Sequence, residues 1–134
     1  MAIVATVAYT NPSGATFFGN PDGDGRQFIV LLSLALSGNY GTAASHGDTL
    51  SFASVNNPDL PSSQIPIYVW VFEQQVAGTA PSFYQGTYNA GTTRDNGSIS
   101  FSLAGTETPA AGAAYSGAIL TTNWYAECSF PLFV

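Results

Sequence analysis

Two short clusters of residues, three scattered glutamates and one class of side chain have the types to do chemistry. His46 stands in Ser45-His46-Gly47-Asp48, which holds the residue types of a nucleophilic triad. Triad members converge on a site from separate elements, whereas these lie side by side in the chain. No Gly-x-Ser-x-Gly elbow accompanies them. His46 therefore reads as a polar residue leading into a strand at Asp48. Asp22 and Asp24 alternate with glycine in Asn20-Pro21-Asp22-Gly23-Asp24-Gly25, a pattern able to wrap Ca²⁺. No Glu follows at the EF-hand distance and Arg26 competes as counter-ion, so the cluster reads as a turn. Glu73, Glu107 and Glu127 could supply a glycosidase carboxylate pair, but a chain this poor in companion bases makes that reading weak. Glu107 is expected to pair with Arg26 or Arg94, or to accept loop amide hydrogens. Trp70, Trp124 and the seven tyrosines could form a sugar-stacking platform, although a β-sandwich places most such rings in a core or interface.

The chemistry that remains is meagre. The chain has no lysine; Arg26 and Arg94 stand against eight acids, and 7% of residues are charged. Soluble domains carry roughly 25%. A surface of Ser, Thr, Asn, Gln, Gly and Ala is cheap to dehydrate, which favours packing or assembly. The formal net charge of −6 argues against nucleic acid and anionic membranes as partners. Cys128 is the only cysteine, so no intramolecular disulfide supports the fold, and it is expected to be a buried apolar residue. No positively charged segment at the N-terminus marks a signal peptide. The longest apolar run, Phe28–Leu36 broken by Ser33, is about half a membrane span. These features lead to the expectation of a soluble chain made in a cytoplasm. No catalytic, cofactor-binding or metal-ligating residue is assigned.

The elements that must position these residues are strands. At 134 residues one domain, 1–134, is expected, with 46% hydrophobic residues to build its core. Two-residue alternation runs through Ile3–Tyr9, Phe28–Leu36, Asp48–Phe52, Ile65–Glu73, Ser82–Asn89, Ser98–Ala104 and 118–134. Phe28–Leu36 is apolar on both faces and reads as central. Pro66 near the start of the Ile65–Glu73 strand suits an edge strand or a strand beginning. Asn96-Gly97 suits a tight hairpin turn, pairing the strands near Tyr88 and Ile99 antiparallel. No segment reads as a long helix. The expected fold is all-β: an antiparallel, jelly-roll-like sandwich of about seven or eight strands. Val30, Leu32, Leu34, Val69, Val71, Ile99, Phe101 and Leu103 are its expected core. Three long connections, Thr10–Gly25, Ala53–Gln64 and Gly105–Gly117, are candidates for contact with a partner. Ala2–Tyr9 is a candidate for adding to a neighbour's sheet edge.

Several motifs stand in a recognisable order. Phe17-Phe18-Gly19-Asn20 and Gly25-Arg26-Gln27-Phe28-Ile29-Val30 precede Ser37-Gly38-Asn39-Tyr40 and Gly47-Asp48-Thr49-Leu50-Ser51-Phe52. Gly105-Thr106-Glu107 and Ala110-Ala111-Gly112-Ala113-Ala114-Tyr115 follow. Over Phe17–Ile119 this order resembles the decoration, or cement, proteins of tailed-bacteriophage heads. The chain departs from them in the insert Pro21–Asp24 and in its lack of basic residues. The resemblance implies a virion protein on the outer surface of an icosahedral head, bracing the major capsid protein. Self-association as a dimer or trimer, and no cofactor or catalytic residue, complete that expectation. The alternative is a monomeric, lectin-like carbohydrate-binding sandwich.

Overall fold

A computed structural model describes residues 3–10, 27–41, 47–52 and 65–131. Eight strands occur among them: β1 (Ile3–Thr10), β2 (Gln27–Leu36), β3 (Asp48–Leu50), β4 (Tyr68–Glu73), β5 (Tyr84–Asn89), β6 (Gly97–Leu103), β7 (Thr106–Glu107) and β8 (Trp124–Pro131). They form two antiparallel sheets, ordered β1-β2-β8-β4 and β3-β6-β5, with β7 paired to β6. The chain passes from one sheet to the other between β2 and β3, between β3 and β4, between β4 and β5, and between β7 and β8. With β2 paired to β8 and β3 to β6, the pairings nest as in a jelly roll. β2 is central, and β4, entered through Pro66, is an edge strand, as the sequence suggests.

The inner faces follow the alternation. Val30 faces Cys128, Leu32 faces Ala126 and Leu34 faces Trp124 across the β2–β8 ladder, and all six are buried. From the second sheet come Leu50, Ile99 and Phe101, also buried. Phe52 meets Phe130 edge-on at 5.1 Å and Phe101 meets Trp124 at 4.9 Å, so aromatic contacts join the sheets. Six of the eight expected core residues are buried. Val69 and Leu103 are half-buried, because one lies on the edge strand β4 and the other at the end of β6. Gly86 marks where β5 crosses β4: a Cβ there would stand 2.4 Å from Val71 Cγ1.

Two expectations need correction. The β5–β6 connection is not a tight Asn-Gly turn but the longer loop 90–96. Neither Asn96 nor Gly97 has a positive φ. Asn96 organises the loop through its side chain, accepting from the Thr93 amide and donating to Thr92 Oγ1, both at 2.8 Å. Gly97 is required by packing instead, since a Cβ would meet the Tyr88 hydroxyl at 2.1 Å. The tight turn is Ala104-Gly105, with φ of 51° and 84°, joining β6 to β7. The second correction concerns residues 118–134. Their first part is a single helical turn, α1 (Ala118–Thr121), rather than strand. Ile119 is buried, and its carbonyl accepts from Trp124 Nε1 at 3.0 Å, which pins the turn onto the core.

Candidate functional site

A buried polar clasp closes one part of the sandwich. Tyr40 follows β2, Asp48 lies on β3, Glu107 on β7, and Tyr115 in the segment leading to α1. The Tyr40 hydroxyl donates to Glu107 Oε1 at 2.7 Å and accepts from the Phe101 amide at 3.1 Å. The Tyr115 hydroxyl donates to Asp48 Oδ2 at 2.5 Å. The two rings stand edge-to-face at 5.6 Å. Backbone bonds tie the same segments: the Tyr40 amide to Ala113 O, the Gly112 amide to Tyr40 O, and the Tyr115 amide to Gly38 O. Gly41 is obligatory here, because a Cβ would collide with the Gly47 carbonyl. Burial, and then the carboxylate partner, push both phenols well above their ordinary range. Burial also raises Asp48, although the Tyr115 hydrogen bond opposes the rise. Tyr40, Asp48 and Tyr115 are all buried, and they serve the fold by having their polar atoms satisfied, Tyr115 and Asp48 by each other and Tyr40 by Glu107 and the Phe101 amide.

The outer face of the first sheet is a different kind of surface. Tyr68, Trp70 and Phe72 of β4 stand opposite Ser129, Glu127 and Tyr125 of β8. Trp70 and Phe72 rings lie 5.0 Å apart, and Phe72 stacks on Tyr125 at 6.0 Å. Trp70 is 61% exposed, and Val4, Ile65 and Ile67 of the same sheet and its lead-in are exposed as well. Glu127 supplies the face's carboxylate and accepts from the Tyr68 hydroxyl at 3.0 Å. Burial and that carboxylate push Tyr68 up to about 12. The expected aromatic platform is thus divided: Trp124 is core, whereas Trp70 is at the surface.

The three glutamates do not converge. Glu127 lies on the outer face of the first sheet, opposite Trp70, and Glu107 is in the second sheet. Glu73, opposite Trp124 at the end of β4, accepts from the Ser82 amide with both oxygens at 3.1 Å. Glu107 bonds Tyr40 in addition to its other contacts. No three His, Cys, Asp or Glu side chains gather among the described residues. Ser45, His46, Asp22, Asp24 and Arg26 lie outside the described residues, as do the connections 11–25 and 53–64. Cys128 is fully buried, and burial pushes its thiol up, away from reactivity. Ala2–Tyr9, expected to pair with a neighbour, contributes to β1, which pairs with β2 of its own chain. The pairing of Tyr40 with Glu107 and of Tyr115 with Asp48 escapes the sequence, because each pair is separated by 67 positions. All four stand in the ordered motifs Ser37-Gly38-Asn39-Tyr40, Gly47–Phe52, Gly105-Thr106-Glu107 and Ala110–Tyr115. No family model matches the chain, and no curated protein or solved structure is significantly similar to it.

Proposed function

We propose that the chain is a structural decoration protein of a tailed-phage head, seated on the major capsid protein through the outer face of its first sheet. The observation that carries the reading is the outer-face ladder of exposed Trp70 and half-buried Phe72 and Tyr125 in a chain with two cationic side chains. Burying apolar area is worth about 25 cal/mol per Å². The few charges nearby leave little desolvation to offset that gain. Natural sheets protect edge strands such as β4 with lysine or inward charge. β4 has no lysine, its one charge is Glu73 at its last position, and it exposes Trp70, which suits a strand covered in the working assembly. The motif order shared with decoration proteins also acquires a physical role, since its Tyr40, Asp48, Glu107 and Tyr115 build the clasp. The outer surface of the head suits a chain of net charge −6, which packaged DNA repels.

The reading predicts saturable binding when the purified chain is mixed with undecorated heads and sedimented, with cryo-EM density on the outer shell. Heads that stay bare at micromolar chain, with the chain folded by circular dichroism, would refute it.

A further inference from the structure

At the end of β4 the sandwich carries a groove of about 320 Å³. Its polar lining includes Glu73, Gln74, Gln75, Thr79, Thr122 and Asn123, with Val76 and Pro81 adding small apolar patches. No arginine lines it, so it offers an anion nothing. One carboxylate among amides and hydroxyls is too little for a divalent cation, which takes six or more oxygens with several charges among them. Amides and hydroxyls both donate and accept. That property matches a ligand whose own groups do the same at many positions, which is a polyhydroxylated neutral molecule.

The walls are fixed in advance. Glu73 holds the Ser82 amide with both oxygens, the Gln74 amide donates to Asn123 O at 2.9 Å, and the Thr79 amide donates to Val76 O at 3.0 Å. The Thr122 hydroxyl bonds Ala118 O at 2.6 Å. Loop 74–82 and the α1 end are thereby tied to β4 and β8, which lowers the ordering cost of binding. A second observation lies one residue along the chain from Ser82, which lines the groove. Phe83, the residue after Ser82, has φ of 63° and is 72% exposed. A bulky side chain in the left-handed region is an outlier that costs about 1–3 kcal/mol. No core contact accounts for it, since the ring is among the most exposed apolar groups described. An exposed aromatic ring one residue from the groove's lining is the kind of apolar face on which the C–H face of a sugar rests.

We propose that this groove is a binding site for a neutral saccharide, with the side chains of Gln74, Gln75 and Asn123 bonding its hydroxyls and Phe83 covering its apolar face. The site is separate from the aromatic ladder and does not depend on attachment to a head. The test is a ¹⁵N-resolved NMR titration of the full chain with glucose, galactose, N-acetylglucosamine and lactose, with glycerol as control. Saturable shifts on residues 73–83 and 118–123, from at least one sugar and not from glycerol, are expected. Gln75→Ala should weaken that binding about 3–10-fold, the worth of one hydrogen bond. Phe83→Gly keeps the backbone conformation that glycine favours and removes the ring. It should weaken binding similarly while leaving the melting temperature equal or higher, a trade a merely structural residue would not show. No saturable shift from any sugar up to about 50 mM, far beyond a millimolar Kd, would overturn the proposal. Glycerol reproducing the shifts, or saturable shifts confined to Trp70, Phe72 and Tyr125, would overturn it equally.

Discussion

On the outer face of the first sheet stand Leu31, Tyr68, Trp70, Phe72 and Tyr125; on that of the second stand Thr49, Gln85, Thr87, Ser100 and Ser102. Both faces are nearly free of charge, and both back onto the same apolar core. They differ in what burial would do. Covering the aromatic face removes apolar area from water, at about 25 cal/mol per Å². Covering the hydroxyl face trades water hydrogen bonds for protein ones, a net of about 1 kcal/mol each at best. A low-charge surface is thus not uniformly adhesive. On the proposed reading the first sheet's face is the one that is covered, and the second stays wet with no lysine, Glu107 opposite Ser102 being its carboxylate.

That comparison can be broken most severely through the core the faces share. Phe101 is 1% exposed and touches both Trp124 and Tyr115. Phe101→Ala should lose about 3–5 kcal/mol in urea unfolding, whereas Ser100→Ala, one residue away on the hydroxyl face, should stay within about 0.5 kcal/mol. Equal losses would mean that the alternation does not separate core from surface.

Next in size is the aromatic face. Trp70→Ser should leave the melting temperature nearly unchanged and weaken attachment to heads about 30-fold or more, as expected for a central anchor. Thr87→Ala on the second sheet should leave attachment unaltered. The reverse pattern would move the contact to the other face.

The clasp comes third. Tyr115→Phe removes the donor to buried Asp48 and should cost about 1–3 kcal/mol. It also has a pH signature. The folded state raises Asp48 above its ordinary value, so folding binds this proton more tightly than the unfolded chain does. Asp48 therefore subtracts stability above its folded pKa. That loss is recovered as pH falls through the folded pKa and is absent below the unfolded one. Unfolding followed from neutral to acid pH should show this slope in the native chain and lose it in Asp48→Asn.

The smallest effect is that of salt. Attachment through the aromatic face should persist up to about 0.5 M NaCl, since apolar burial is not screened as charge pairs are. Occupancy that collapses over this range would show that charge holds the protein in place.

The strands were legible because burial alternation is local: Val30, Leu32 and Leu34, or Ile99 and Phe101, declare a buried face within a few residues. Even where Asn96-Gly97 was misread as a tight turn, the pairing of β5 with β6 followed from the patterns on either side. The α1 turn was hidden because four residues carry no helical period; the docking of Ile119 and the Trp124 bond hold it. Composition alone determined a chain poor in charge, rich in β-forming residues and short of catalytic groups. Tertiary structure decided which tryptophan is core and which is surface, since both sit in apolar strands and only the stacking of the two sheets, where Trp124 meets Phe101, separates an inner from an outer face. It likewise decided that Tyr40, Asp48, Glu107 and Tyr115 meet, because a hydrogen bond spanning 67 residues depends on how strands wrap between sheets and leaves no mark in local sequence.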